Sequence, residues 1–400
     1  MSQAIISLNS GSSSIKFGLY VLTPEGPVHV AGGKLEGIGT APRIVIKDED
    51  GAVLGEKVWE NGAGLSHEAL LDELYGWADR HLPAHRIVAV GHRVVHGGSD
   101  FWEPVRIDAG LIGKLEAFCS LAPLHQPHNL AAVREIAKKS PGLFQVACFD
   151  TAFHHTMSAV AARMALRRDL ADRGFRRYGF HGLSYEYIAR TLTELDPAAA
   201  KGRVIVAHLG NGASMCAMQD CRSVDTTMGF TALDGLMMGT RTGSLDPGVV
   251  VHLQLQEGMT AHQVESLLYR ESGLLGVSGG ISSDMRTLHE SSDPHAAEAV
   301  ELFVWRAARH AGALMSSLQG LDGLVFTAGI GENDPLVRSA ICKRLEWAGI
   351  VIDEAANAAG APVISTPESR VVVRVIPTDE ERMIALHTFR LYRHYHPDAI

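Results

Sequence analysis

Two stretches of the chain, about half its length apart, follow one plan. Ile5-Ile6-Ser7-Leu8 passes through Asn9-Ser10-Gly11-Ser12-Ser13-Ser14 into Ile15-Lys16-Phe17-Gly18-Leu19, and Val204-Ile205-Val206-Ala207-His208-Leu209 passes through Gly210-Asn211-Gly212 into Ala213-Ser214-Met215-Cys216. The apolar runs predict strands, and the small polar centres predict hairpin turns. Glycine and serine let backbone N–H groups come close to an anion, as a phosphate chain requires. Either stretch alone reads as an ordinary surface hairpin. Two copies, with Lys16 in the first, point to a duplicated domain that holds a nucleotide.

At 400 residues the chain exceeds one ordinary core, so two domains are expected. With 46% hydrophobic and 20% charged residues it has the composition of a soluble globular protein. No run of 18 apolar residues predicts a membrane span, and no basic segment followed by an apolar core predicts secretion. A net charge of -9 argues against a nucleic-acid partner, while leaving room for local arginines to receive an anionic substrate. The cysteines, at 119, 148, 216, 221 and 342, are odd in number and form no CxxC pair, which fits reduced thiols in the cytoplasm. Among the histidines, His125, His128 and the pair His154-His155 read more readily as hydrogen-bonding or surface residues than as metal ligands, since no HExxH pattern is present.

Beyond the first hairpin, strands are expected at 28–35, 43–47 and 53–59, a helix at His67–His81, and a short strand at 86–90 ending in a Gly91-His92-Arg93 turn. Helices follow at 108–120 and 129–139, then a buried strand at 144–149. The theme restarts near Asp150. A helix at 184–194 precedes a β-rich stretch at 203–225, helices at 249–257, 261–271 and 295–318, strands at 324–327 and 371–376, and a last helix at 380–395. Strands alternating with helices indicate an α/β protein with mixed sheets covered by helices.

Several residues have the chemistry of an anion-transfer site. Gly329-Ile330-Gly331-Glu332-Asn333 follows an apolar strand, and a glycine turn at a strand's carboxyl end is where nucleotides often sit in α/β sheets. It lacks the third glycine of a dinucleotide fingerprint, and no GxxxxGK[ST] occurs anywhere. Arg93 and Arg241 lie beside glycines, and an arginine fork matches carboxylate or phosphoryl oxygens. A surface salt bridge explains either one equally well. Asp150 follows an apolar strand directly, and His181 stands in Tyr178-Gly179-Phe180-His181-Gly182, where a core histidine satisfied by the backbone is the plainer reading. Gly276-Val277-Ser278-Gly279-Gly280 matches the GxSxG of a hydrolase, but without the strong preceding strand that motif needs.

Taken together these segments resemble the acetate kinases over essentially the whole chain. The matching runs are 9–17, 91–98, 122–125, 149–154, 178–182, 207–214, 225–243, 327–333 and 377–381. The resemblance implies a duplicated fold of the actin, sugar-kinase and heat-shock ATPase type, with two domains and an active-site cleft between them. It implies domains at 1–150 and 151–383, with a helix at 384–400 packing back on the first. It implies a cytoplasmic homodimer that transfers a phosphoryl group in line between ATP and acetate, with Mg²⁺ (or Mn²⁺ in its place), and that has no nucleic-acid or membrane partner.

Residue by residue, the resemblance assigns Asn9 and Glu380 to the metal, largely through water. Ser14, Lys16, His208, Leu209, Gly210, Asn211 and Gly212 meet the phosphates. Asp284, Met285 and Arg286, with Gly329, Ile330, Gly331, Glu332 and Asn333, hold the adenosine. Arg93 takes the acetate carboxylate, beside an acyl pocket of Val95, Leu124, Phe180 and Ala232. Arg241, His181, His125 and Asn211 stabilise the phosphoryl group, and Asp150 is the acidic catalytic residue. Two positions depart from the family pattern: Ala232 replaces a usual proline, and Ser244 a usual acidic residue. The alternatives are a kinase of propionate or another short acid, an ATP-binding relative without transfer activity, and a GxSxG hydrolase.

Overall fold

The computed structural model describes residues 2–11, 14–65, 67–81, 85–123 and 125–398. The chain forms two compact units, Met1–Ala152 with Asp379–Ile400, and Phe153–Thr378. The chain re-enters the first unit at Asp379, not at 384 as expected. The helix Glu380–Tyr395 is one continuous element that packs along its length on the first sheet, so no boundary can fall inside it.

The first unit is built on eight strands: β1 (Ser2–Ser10), β2 (Ser14–Thr23), β3 (Gly26–Glu36), β4 (Arg43–Asp48), β5 (Val53–Val58), β6 (His85–Val94), β7 (Val105–Arg106) and β8 (Phe144–Phe149). Their order is β5-β4-β3-β2-β1-β6-β8-β7. β1 and β2 form the expected antiparallel hairpin, with Asn9 opposite Lys16, while β6 runs parallel to both β1 and β8. Helices cover both faces of this sheet, so its central strands are buried on both sides and read as apolar runs rather than alternating ones. On one face, Ile6, Leu8 and Val90 pack with Leu70, Leu71 and Leu74 of the helix His67–His81 and with Ala132 and Ile136 of the helix Gln126–Lys139. The helix Glu380–Tyr395 covers the other face.

Gly91 corrects one expectation. It lies inside β6 rather than in a turn. Its side points at the helix Glu380–Tyr395, where a Cβ would run into the Thr388 hydroxyl and come within 2.6 Å of Ile384 Cγ2. The glycine is there for close helix–sheet approach, not for chain reversal.

The second unit repeats the core of the first. Its strands are β9 (Arg203–Leu209), β10 (Ala213–Gln219), β11 (Arg222–Thr226), β12 (Gly323–Thr327) and β13 (Val372–Val375), in the order β11-β10-β9-β12-β13. β9, β10 and β11 are successively antiparallel, and β12 is parallel to β9 and β13. This is the order and sense of β3-β2-β1-β6-β8. Tyr185, Ile188 and Leu192 of the helix Gly182–Leu195 pack on Val204, Val206, Cys216 and Val325, and the long helix Pro294–Leu318 lies against β9, β10 and β11.

Each unit buries a histidine whose neutral form the fold requires. His92 Nε2 pairs with Gln145 Oε1 at 2.8 Å, and His154 bridges Ser223 Oγ and the Phe180 carbonyl at 2.8 and 2.9 Å. Burial pushes both imidazoles down to about 4. In the unfolded chain they titrate near roughly 6.5. Between those values the unfolded chain binds protons that the folded one does not, so this contribution is intact above pH 6.5 and is lost as the pH falls toward 4. The urea midpoint should therefore drop between pH 7.5 and 5. The drop should be smaller in His92→Gln; an equal drop in that variant would remove His92 as a source.

Candidate active site

In the first unit, residues from four distant parts of the sequence meet at the carboxyl ends of three parallel strands. Asn9 stands near the end of β1, Arg93 near the end of β6, and Asp150 immediately after β8, where its N–H donates to the Val94 carbonyl at 3.1 Å. Glu380 opens the helix Glu380–Tyr395, which Asp379 caps by accepting from the Arg382 N–H at 2.8 Å. Arg93 ties the group together. Its Nε donates to both Asp150 oxygens at 3.0 Å, its Nη2 to Asp150 Oδ2 at 2.5 Å, and its Nη1 to Asn9 Oδ1 and Glu380 Oε2, each at 3.2 Å. Asn9 Nδ2 donates in turn to Glu380 and, at 3.4 Å, to Glu381.

Asp150 is 1% exposed, and the Arg93 side chain 17%. Burial opposes the charge on Arg93, but Asp150 and Glu380 outweigh it, so its pKa is raised. Burial, and then the neighbouring Glu380, push the Glu381 carboxyl up, with Lys16 pulling the other way. Three carboxylates thus face Arg93 and Lys16. Among the described residues four of the five Arg93 N–H groups have partners, which leaves one on Nη2. Lys16 projects from β2 beside a cavity of about 730 Å³ that Gly33, Asp379 and Arg382 also line.

The second unit assembles its own polar cluster around the Gly210-Asn211-Gly212 turn, which joins β9 to β10. His181 precedes the helix Gly182–Leu195 with φ 58°, a left-handed conformation that few non-glycine residues adopt. Its ring stacks on that of His208, with centroids 4.1 Å apart. A Cβ on Gly212 would lie 3.5 Å from His181 Nε2 and 4.0 Å from Arg241 Nη1, so both cationic or donor groups face this turn. Arg241 Nη1 donates to the Ala232 carbonyl at 3.0 Å. Gly239 donates its N–H to the Asn211 carbonyl at 3.0 Å, and its missing side chain makes room for the Asn211 amide and for the Ser283 carbonyl. Asp284, next in sequence, caps the helix Met285–Glu290 through the Thr287 N–H. Met285 is buried in that helix and Arg286 is exposed.

The stretch after β12 corrects a second expectation. It is a short helix, Ala328–Asn333, not a glycine turn. Ala328 starts it at φ 65°, and the Glu332 carboxylate folds back to accept from the Ala328 and Thr378 N–H groups at 2.8 and 3.0 Å. Arg338, 1% exposed, holds the Gly331 and Glu332 carbonyls at 3.0 and 2.8 Å. Gly329 faces open space, and Ala328 Cβ lies 3.8 Å from where a Gly210 Cβ would stand. Turn, helix start and Asp284 segment are therefore neighbours.

Other expected residues are placed separately. Ser14 opens β2 and Leu209 ends β9. His125 directly precedes the helix Gln126–Lys139. Val95 is buried in the first unit, Phe180 in the second, and Ala232 is half-buried there. Leu124 lies outside the described residues, as do Ser12 and Ser13. Ser278 is buried behind the short helix Gly273–Val277, with Gly279 and Gly280 both at positive φ, so the GxSxG match is no strand-to-helix elbow.

Sequence reading missed two residues that brace the backbone beside the expected ones. Asn129 accepts from the Val95 N–H at 3.0 Å and donates to the Ser10 carbonyl at 2.6 Å, while Gln126 grips both backbone groups of His96. They were hidden because the helix was expected to start at 129. Pro127, a residue type favoured in a first helical turn, marks the earlier start.

Removing Arg93 leaves Asp150 buried without its cation, a change that costs about 3–5 kcal/mol in comparable pairs. Arg93→Met should lose stability on that order in urea with EDTA present. Adding Asp150→Asn should restore a substantial part. Strictly additive losses would show that the pair is not coupled.

A sequence profile of the Acetokinase family matches residues 4–386. An acetate kinase of Rhodopseudomonas palustris strain TIE-1 is 54% identical over 396 residues, covering 98% of this chain and 99% of the relative. One from Rhizobium meliloti is 49% identical over 388 residues, 97% and 98% of the two chains. Among solved structures, an acetate kinase from Porphyromonas gingivalis has a TM-score of 0.85 at 38% identity, covering 98% of this chain and all of that one. A propionate kinase from Francisella tularensis has a TM-score of 0.88 at 38% identity, covering 97% and 99%. By sequence along nearly its whole length and by fold, the chain belongs to the acetokinase family.

Proposed function

We infer that this chain is an acetate kinase, which moves the γ-phosphoryl group of ATP onto a carboxylate oxygen of acetate and releases acetyl phosphate and ADP, reversibly. The observation that carries the reading is the near-full-length match at 54% identity to an acetate kinase, on a chain that keeps the charged residues such a reaction needs. Acetate is an anion at pH 7, so no base has to activate it. Asp150 already accepts from Arg93 through both oxygens, and its role is to hold that guanidinium in place for the acetate carboxylate. His181, Arg241, Asn211 and His125 are donors for the charge that spreads over the phosphoryl oxygens in transfer. Ser14, Lys16 and the stretch 208–212 take the phosphates; Asp284, Met285, Arg286 and residues 329–333 take the adenosine.

The residues at the strand ends fit Mg²⁺. Asn9 Oδ1 and Glu380 Oε2 both lie 3.2 Å from Arg93 Nη1, so two oxygens converge beside a surplus of negative charge. Among the described residues no cluster of three or more His, Cys, Asp or Glu side chains could hold a metal. Asn9 and Glu380 would hold such an ion through one amide and one carboxylate, with water and phosphate completing its shell, the usual environment of Mg²⁺. There it would supply positive charge to neutralise the phosphates.

A homodimer fits the surface of the second unit. The helix Pro247–Leu255, PGVVVHLQL, buries none of its residues, and Val251 and Leu255 are 53% and 73% exposed. A second copy that covers this face explains so apolar a surface helix. No helix among the described residues is long and apolar enough to cross a membrane, and no disulfide links the cysteines, which suits the cytoplasm. On this reading the mass in solution is twice that of one chain, and Val251→Glu with Leu255→Glu should halve it. A wild-type monomer would discard the dimer.

Activity is tested by incubating the protein with ATP, Mg²⁺ and single carboxylic acids, trapping acyl phosphate with hydroxylamine. Acetate should give hydroxamate, and Arg241→Lys should cut kcat by roughly 100-fold or more, the loss typical of a transition-state donor. No hydroxamate from any acid would overturn the assignment. The same panel measures propionate, which Ala232, in place of a proline, should admit.

A further inference from the structure

His181 and His208 are stacked face to face, 4.1 Å apart and 17° from parallel. Each is held at Nδ1 by a serine. Ser214 Oγ lies 2.8 Å from His181 Nδ1, and Ser184 Oγ lies 2.8 Å from His208 Nδ1. Each serine in turn meets a second hydroxyl. The Tyr185 phenol contacts Ser214 Oγ at short range, and the Thr378 hydroxyl donates to Ser184 Oγ at 2.9 Å.

The protons can be followed through these chains. A serine hydroxyl carries one hydrogen and two acceptor sites. Tyr185 and Ser214 are both fully buried. Ser214 is the phenol's hydrogen-bond partner, so the phenol donates to Ser214. A buried phenol denied that bond bears the desolvation penalty of an unmade hydrogen bond. Ser214 then has its own proton to give, and His181 Nδ1 is there to accept it. The opposite arrangement, Nδ1–H donating to Ser214, strands one hydroxyl proton. On the other ring the half-buried Thr378 donates to the buried Ser184, and the Ser184 proton then goes to His208 Nδ1.

We propose that Tyr185 and Ser214, and in parallel Thr378 and Ser184, are positioning residues that hold the two stacked imidazoles neutral, with the proton on Nε2. For His181 the consequence is directional. Its Nε2 faces the Gly210-Asn211-Gly212 turn, where a Gly212 Cβ would stand only 3.5 Å away. The relay makes that nitrogen a donor before any ligand arrives, so no proton has to be rearranged when negative charge develops. Neutrality also suits the stack, since two imidazolium rings at this distance repel. The use of the donor rests on the acetate kinase reading; the location of the proton does not.

Long-range ¹H–¹⁵N correlation of the full-length protein at pH 8 tests this, with the His181 signal assigned by its loss in His181→Asn. Wild type should show a pyridine-type Nδ1 and a pyrrole-type Nε2. Ser214→Ala, which deletes the hydroxyl that donates to Nδ1, should populate the Nδ1–H tautomer. It should lower kcat by roughly 10-fold, the size of one weakened hydrogen bond to a charged group, with KM little changed. A wild-type Nδ1–H signal overturns the proposal, and this holds even if the variant fails to fold. So does a Ser214→Ala variant whose ¹⁵N pattern is unchanged, whatever its activity. The spectrum is read without substrate, so its outcome stands apart from the identity of the phosphoryl acceptor.

Discussion

The Arg93 guanidinium is the interaction on which the first unit's functional end depends. Three parallel strands and the start of the C-terminal helix each bring one polar side chain to the same point, and each alone would be an uncompensated polar group in a poorly hydrated place. One planar cation, with donors on three nitrogens, satisfies Asp150, Asn9 and Glu380 together. A lysine, with a single point charge on a flexible stem, could not span them. Such a cluster is electrostatically tight, but its leftover negative charge lies to one side, toward Glu381. The same geometry that holds the strand ends therefore also sets where a cation is welcome.

The two sheets share an order and a set of strand directions, yet their sites differ in kind. At the end of the first sheet sit ionic side chains, held by one another. Around the hairpin turn of the second sit stacked neutral rings, the Arg241 guanidinium and the Asn211 amide, set close to the backbone of Gly212 and Gly239. A common scaffold fixes where strand ends and hairpin turns fall, and the side chains placed there decide the chemistry. Ions gather naturally where charge is balanced by charge. Backbone N–H groups, ring donors and an arginine fork such as that of Arg241, which faces the same turn, each suit phosphate oxygens.

Much of this was legible in the residues, for identifiable reasons. Strands buried on both faces announce themselves as apolar runs, and the hairpins followed from Gly and Ser between such runs. The gathering of Asn9, Arg93, Asp150 and Glu380 was not a matter of local pattern, because they are up to 371 positions apart; only the family resemblance linked them. Gly91 misled because a glycine needed for close packing looks, in one dimension, like a glycine needed for a turn. Ala328–Asn333 misled for the opposite reason. Its backbone reversal falls on Ala328, stabilised by Glu332 and Arg338, while the glycines behind it sit in ordinary helical positions. The serines of the His181 and His208 relays carried no signal at all, since a serine inside a strand or helix looks like any other small polar residue.

The helix Glu380–Tyr395 gives the molecule a peculiar order of assembly. It lies across β1, β2, β3, β6 and β8, contributes Glu380, and belongs to a unit whose other residues end at Ala152. On a ribosome, the amino-terminal sheet keeps one face uncovered until the whole segment Phe153–Thr378 has been made. The unit that begins synthesis first is the one that finishes last. Its bare face must stay soluble for the time taken to translate more than half the chain, and interruption late in translation leaves a protein with one intact half and one exposed sheet.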